Sequence, residues 1–212
     1  MLQMGFTQES CFGNLKELTT PQEKLVIAGP GPSLSQEQID MVRESGVHCI
    51  AIGEAGRVLY PDAQVLYHCD RKWWHHWDFC PDFKGLRVSL EDVDSDLVYE
   101  MERSELKEGL DLRYPYLVTG AHSGYQAINL AMFAQPKEII LIGYDMKDAK
   151  DGRHNIVGHH PRGVRRPYDF NLFMSTLSSL VPVLDNLGVS VYNCTIDSAL
   201  TCFPRKDLTD VL

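Results

Sequence analysis

Residues 25–34, LVIAGPGPSL, decide how this chain folds. Four apolar residues, Leu25 to Ala28, run straight into Gly29-Pro30-Gly31-Pro32-Ser33, and SQEQIDMVRESG follows. That order predicts a buried β-strand, a tight glycine turn and a helix N-terminus. Amides left unpaired at such a terminus, together with the helix dipole, seat a phosphate or a carboxylate. Gly29 and Gly31 let the backbone approach a ligand, and Ser33 either caps the helix or binds that ligand. The plainer reading is a strand-to-helix turn and nothing more. The stretch lacks the third glycine of the dinucleotide fingerprint and the Gly-Lys-Ser/Thr of a P-loop.

Outward from this turn, short apolar segments recur between helical ones. The strand candidates are Leu25–Ala28, His48–Ile52, Val65–His68, Tyr116–Thr119, Glu138–Ile142 and Ser190–Asn193; the helix candidates are Ser35–Ser45, Ser123–Phe133 and Phe170–Asn186. Branched strands alternating with helices predict an α/β fold: a single Rossmann-like domain, its mostly parallel sheet covered by helices on both faces. Residues 23–212 form that domain and 1–22 a polar N-terminal segment. The acidic, charge-rich stretch from Lys84 to Arg113 reads as a solvated helix or an edge insertion without chemistry.

The chain has 212 residues, 44% of them hydrophobic and 23% charged, as a soluble globular protein has. No apolar run approaches membrane-spanning length, and MLQMGFTQES lacks the basic and apolar regions of a signal peptide, so a cytosolic protein is expected. A net charge of −9 argues against broad backbone-driven binding to nucleic acid. The six cysteines form no CxxC pair and are expected to be buried free thiols.

In open α/β sheets, ligands bind at the carboxyl ends of the strands. The residues there are GPGPS after the first strand, Gly53-Glu54 after the second, His68-Cys69-Asp70 after the third, Gly120-Ala121-His122-Ser123-Gly124 after the fourth and Gly143-Tyr144-Asp145 after the fifth. These tips are expected to converge on one cleft. Asp145 either contacts the ligand there or caps the next turn. The histidines and Asp70 do not have the HExxH or paired-cysteine spacing of a zinc site. In DRKWWHHWDF, Trp73 and Trp74 either wall an acceptor site or simply cover the core.

Four stretches occur in an order that resembles a known superfamily: VIAGPGPSL (26–34), HSGYQAINLAMFAQPKEIILIGYDM (122–146), VGHH (157–160) and YNCTIDSAL (192–200). The chain resembles the bacterial CMP-sialic acid-dependent sialyltransferases of glycosyltransferase family 42. It also looks like the wider group that includes flagellin-modifying motility accessory factors and archaeal pterin pyrophosphokinase-like proteins, and compact stand-alone members of that group look phage-encoded. The resemblance implies a Rossmann-like fold that binds a CMP-linked sugar at the strand tips. The loop after the Gly-x-Asp strand, here about 146–170, would fold over the donor as a lid. His159, with His160 as its rival, would be the general base toward an acceptor hydroxyl. The donor would meet Gly29, Gly31, Pro32, Ser33, Gly53, Glu54, His68, Asp70, Ser123, Gly124, Gly143 and Asp145.

The lid tyrosines that hold the leaving phosphate in those relatives have no clean equivalent. Arg153, Arg162, Arg165, Arg166 or Tyr168 would take that task, or the arginine run is a solvated loop. Asparagines near the donor in the sialyltransferases are replaced here by Gly53-Glu54 and His68-Cys69-Asp70. The reading therefore keeps two alternatives: a Mg²⁺-dependent diphosphotransferase with Asp70 or Asp145 as metal ligands, and a nucleotide-binding module without catalysis. The CMP-dependent relatives need no metal. The acceptor, whether a glycan, a protein or a hydroxylated DNA base, is not written in the sequence.

Overall fold

The computed structural model describes residues 19–158 and 168–212. In chain order its strands are β1 (Lys24–Ala28), β2 (His48–Ile52), β3 (Val65–Tyr67), β4 (Leu86–Ser89), β5 (Tyr99–Glu100), β6 (Glu102–Arg103), β7 (Tyr116–Leu117), β8 (Glu138–Ile142) and β9 (Ser190–Asn193). The helices are α1 (Gln36–Ser45), α2 (Arg71–His76), α3 (Ser123–Ala131), α4 (Phe170–Ser179) and α5 (Val181–Asn186). A seven-stranded sheet runs β5-β4-β3-β2-β1-β8-β9, every neighbouring pair parallel. The α/β class and single Rossmann-like domain expected from the strand and helix alternation are what the chain forms.

Side chains on a strand alternate between faces, so a strand apolar at every position must be covered twice. Leu25, Ile27, Ile50, Ile139 and Leu141 pack into one core with Ile128 of α3, Leu177 of α4 and Leu184 of α5. Val26, Ala28, Ala51, Ile140 and Ile142 pack into the other with Ile39 and Val42 of α1, Trp73 and Trp74 of α2, and Leu208 and Val211 near the C-terminus.

Several local expectations need correction. The cap of α1 is Ser35, whose side chain accepts from Gln38 N while Gln38 reaches back to Ser35 N, a capping box; Ser33 plays no part in it. Phe170–Asn186 is two helices rather than one. Pro182 has no N–H for the ladder and crowds the preceding turn, so the chain restarts at Val181. The stretch 84–113 contains two strands that complete one side of the main sheet, with half-buried Tyr99 and exposed Glu100 on the edge strand β5. The strand expected at Tyr116–Thr119 stops at Leu117 and pairs only with β6, outside the main sheet. Left-handed backbone at Gly120 and Ala121 turns the chain into α3. DRKWWHHW, left unassigned by the sequence reading, forms α2. Among the described residues the cysteines are all free: Cys49, Cys80 and Cys194 buried, Cys69 and Cys202 half-buried. No helix among the described residues is long and apolar enough to cross a membrane.

Candidate functional site

The chain adds β2 to β5 on one side of β1 and then returns to place β8 and β9 on the other. The switch between β1 and β8 opens a crevice at their carboxyl ends, where open α/β sheets bind ligands. A cleft of about 360 Å³ lies there, lined by residues from every tip named above.

The tips of β1 and β8 are locked together. Gly29 N donates to Ile142 O at 2.8 Å and Gly31 N to Gly143 O at 3.0 Å. Ser33 donates both its N–H and its hydroxyl to the Asp145 carboxylate, each at 3.0 Å. The two prolines have no N–H, so every amide of Gly29-Pro30-Gly31-Pro32-Ser33 is already used. The glycine turn therefore has no amide of its own left for a phosphate. Its glycines serve the close approach of two strand tips: a Cβ on Gly29 would lie 2.7 Å from the Gly143 carbonyl oxygen. The YNCTIDSAL stretch closes the lock from the other side. Thr195 Oγ1 accepts from Tyr144 N at 2.9 Å, and Ser198 donates to Tyr144 O at 2.6 Å. Burial pushes the Asp145 carboxyl up, and its Ser33 partners pull the other way.

Donors for an anion come instead from α3 and the β8 loop. The nine-residue α3 opens toward the cleft with Ser123 and Gly124 in its lining, and no partner is found for the Ser123 amide among the described residues. Lys147, which the sequence reading passed over, also lines the cleft and pairs with the exposed carboxylate of Asp197 at 2.8 Å. Such an exposed pair is weak and holds the Lys147 ammonium at little cost to exchange.

His122 caps α3, its Nδ1 accepting from Gly124 N at 3.1 Å. Burial pulls this imidazole down to about 4, the Phe173 main chain opposing weakly. The unfolded chain then binds a proton between about pH 6.5 and 4 that the folded chain refuses, so stability is complete above 6.5 and lost as pH falls toward 4. His122→Asn keeps a capping oxygen and removes the titration. Unfolding midpoints across pH 4–7 are expected to flatten in this variant, by on the order of 2 kcal/mol at the acidic end. Parallel curves for the two proteins would refute a neutral, buried His122.

The opposite wall is aromatic. Tyr168, Phe170 and Phe173 line the cleft, with His122 tilted against Phe173 at 4.5 Å and Tyr168 stacked on His154 at 4.9 Å. At the β3 tip, His68, Cys69 and Asp70 bring one donor atom each within 4.8 Å of one another. Their chemistry fits a metal poorly. Nδ1 of His68 accepts from Asp70 N at 3.1 Å, which places the ring proton on Nε2 and leaves neither nitrogen as a ligand. Nor is this the all-oxygen set that Mg²⁺ takes.

Of the residues expected at the site, Gly29, Gly31, Pro32, Gly53, Glu54, His68, Asp70, Ser123, Gly124, Gly143, Asp145 and Tyr168 do line the cleft, and Ser33 lies behind it. Glu54 is fully buried and committed, accepting from Trp73 Nε1 at 3.1 Å and Arg57 Nε at 2.6 Å. Arg153 is turned to Asp151 at 2.7 Å rather than to the cleft. Trp73 and Trp74 do not wall an acceptor site: both are fully buried, the second donating to His68 O at 2.9 Å. His159, His160, Arg162, Arg165 and Arg166 lie outside the described residues, as does part of the segment expected to form a lid. No protein-family model, no curated protein and no solved structure matches the chain.

Proposed function

We propose that the chain is a glycosyltransferase that moves a sugar from a nucleotide-activated donor, CMP-linked, to a hydroxyl acceptor. The observation that carries this reading is one cleft at the β1–β8 switch with an anion seat on one side and half-buried aromatic rings on the other. A nucleoside phosphate has the same two-part chemistry. Its phosphate lies at the N-terminus of α3 near Lys147, where helix dipole and ammonium stabilise the charge that grows as the sugar leaves. The base and ribose lie against the aromatic wall. A histidine of the loop after β8 takes the acceptor's proton; His159 and His160 are the residues the family resemblance nominates. Donor and acceptor are co-substrates, and the reaction needs no metal in this reading.

The Mg²⁺-dependent diphosphotransferase is less well supported. It needs a set of carboxylates facing the phosphates, whereas Glu54 is held by Arg57 and Trp73, Asp145 by Ser33, and Asp169 caps α4, which leaves Asp70 at the β3 tip to supply that set by itself. Thermal melting with CMP, UDP, GDP and ATP, each with and without Mg²⁺, separates the two. A nucleotide at a hundred times its dissociation constant adds roughly 2.7 kcal/mol. CMP is expected to raise the melting temperature without Mg²⁺. A response to ATP that requires Mg²⁺, with CMP silent, would overturn the glycosyltransferase.

A further inference from the structure

His68, His122 and His154 are the histidines that line the cleft among the described residues, and their hydrogen bonds set two of them apart from the third. Nδ1 of His68 accepts from Asp70 N, and Nδ1 of His122 accepts from Gly124 N. A neutral ring that accepts at Nδ1 carries its proton on Nε2, so neither ring presents a lone pair to the cleft. His154 is arranged the other way: its Nδ1 meets the carboxylate of Asp148. An ionised carboxylate only accepts, which fixes the proton at Nδ1 and puts the lone pair on Nε2.

The loop that carries His154 is braced as a unit. Ala149 N donates to Arg153 O at 2.9 Å, His154 N to Gly158 O at 3.1 Å and Val157 N to Asn155 Oδ1 at 3.0 Å. Ile156 N donates to Pro30 O at 3.0 Å, which ties the loop to the glycine turn of β1. The ring stacks on Tyr168, and its side chain is only 15% exposed. A solvated loop histidine has none of these constraints.

We propose that His154 is the proton acceptor of this site and Asp148 its positioning residue. The assignment rests on the glycosyltransferase reading for its substrate and on the hydrogen-bond pattern for its residue. In the transfer, the acceptor hydroxyl gives its proton to Nε2 of His154. Its oxygen forms a bond to the anomeric carbon, and the bond from that carbon to the phosphate oxygen breaks, its electron pair leaving with CMP. Asp148 stabilises the imidazolium, which then returns its proton to solvent.

The test joins a spectroscopic and a kinetic measurement on the full chain. Long-range ¹H–¹⁵N spectra of the imidazole rings at about pH 7.5, assigned with His154→Gln, are expected to show His154 protonated at Nδ1 and His68 and His122 at Nε2. In Asp148→Asn the His154 preference is expected to weaken. A His154 ring protonated at Nε2, or one indifferent to Asp148→Asn, overturns the dyad whatever the substrate is. With CMP-N-acetylneuraminate as the donor tried, His154→Gln is expected to slow CMP release roughly a hundred- to ten-thousand-fold while the CMP melting shift stays. Asp148→Asn is expected to slow it at least roughly tenfold. Normal turnover by His154→Gln would remove the assignment. No CMP response from any of the proteins would instead remove the glycosyltransferase reading, and the ring spectra would still decide the dyad.

Discussion

Gly31→Ala is expected to destabilise the folded protein by on the order of 3–5 kcal/mol. A Cβ at this position would overlap both the Asp145 carboxylate and the carbonyl oxygen of Gly143. The backbone of Gly31 is not in the left-handed region, so the penalty is one of space. Relief requires the tips of β1 and β8 to part, which breaks the two Ser33–Asp145 hydrogen bonds as well as Gly31 N to Gly143 O. Gly46→Ala is the matching control. Gly46 ends α1 at a φ of +69° with nothing near its missing Cβ, so alanine there pays only the left-handed strain of about 1–2 kcal/mol. Denaturant midpoints of the two variants should differ in that order. Equal losses would mean that the strand tips are not in contact.

Trp73→Ala is expected to cost about 3–5 kcal/mol, the range for emptying a large aromatic site in a core. The ring is fully buried, stacked on His68 at 4.4 Å and edge-on to Trp74 at 5.0 Å. Its Nε1 also donates to Glu54, a fully buried carboxylate that Arg57 pairs from the other side at 2.6 Å. Removal of the indole takes one donor away from that buried charge, an added loss beyond the cavity. Trp73→Phe separates the two effects, since it keeps an aromatic ring and lacks the N–H; about 1–3 kcal/mol is expected. The alternative, an acceptor wall, predicts unchanged stability with altered turnover. Unfolding curves that overlay the wild type would restore it.

Much of the fold was readable because the signals were local. The strands at His48–Ile52, Glu138–Ile142 and Ser190–Asn193 match their expected limits, since an apolar branched run between turn residues leaves little else for the chain to do. The acidic stretch 84–113 was opaque. LRVS and YE are short and flanked by charge, and they become strands only because β3 and then β4 offer a ladder to join. α2 was hidden for a related reason: six residues dense in aromatic and basic side chains carry no periodicity.

The site divides along the same line. That the strand tips converge on one cleft follows from parallel topology, and the sequence determined it through the order of strands and helices. It also determined where glycine is required, and that Ser123 and Gly124 open a helix. What each polar side chain does was decided by tertiary structure. Ser33 was expected at a ligand or a helix cap and is consumed by Asp145, 112 positions away. The aromatic pair that the sequence left between a wall and the core lies in the core, with Trp73 answering a buried Glu54. The cleft histidines are alike in sequence and differ in which ring nitrogen their neighbours hold. Turn chemistry and burial patterns are properties of about ten consecutive residues. The partner of a donor or a carboxylate is set by the register that brings distant segments together, and no stretch of sequence contains it.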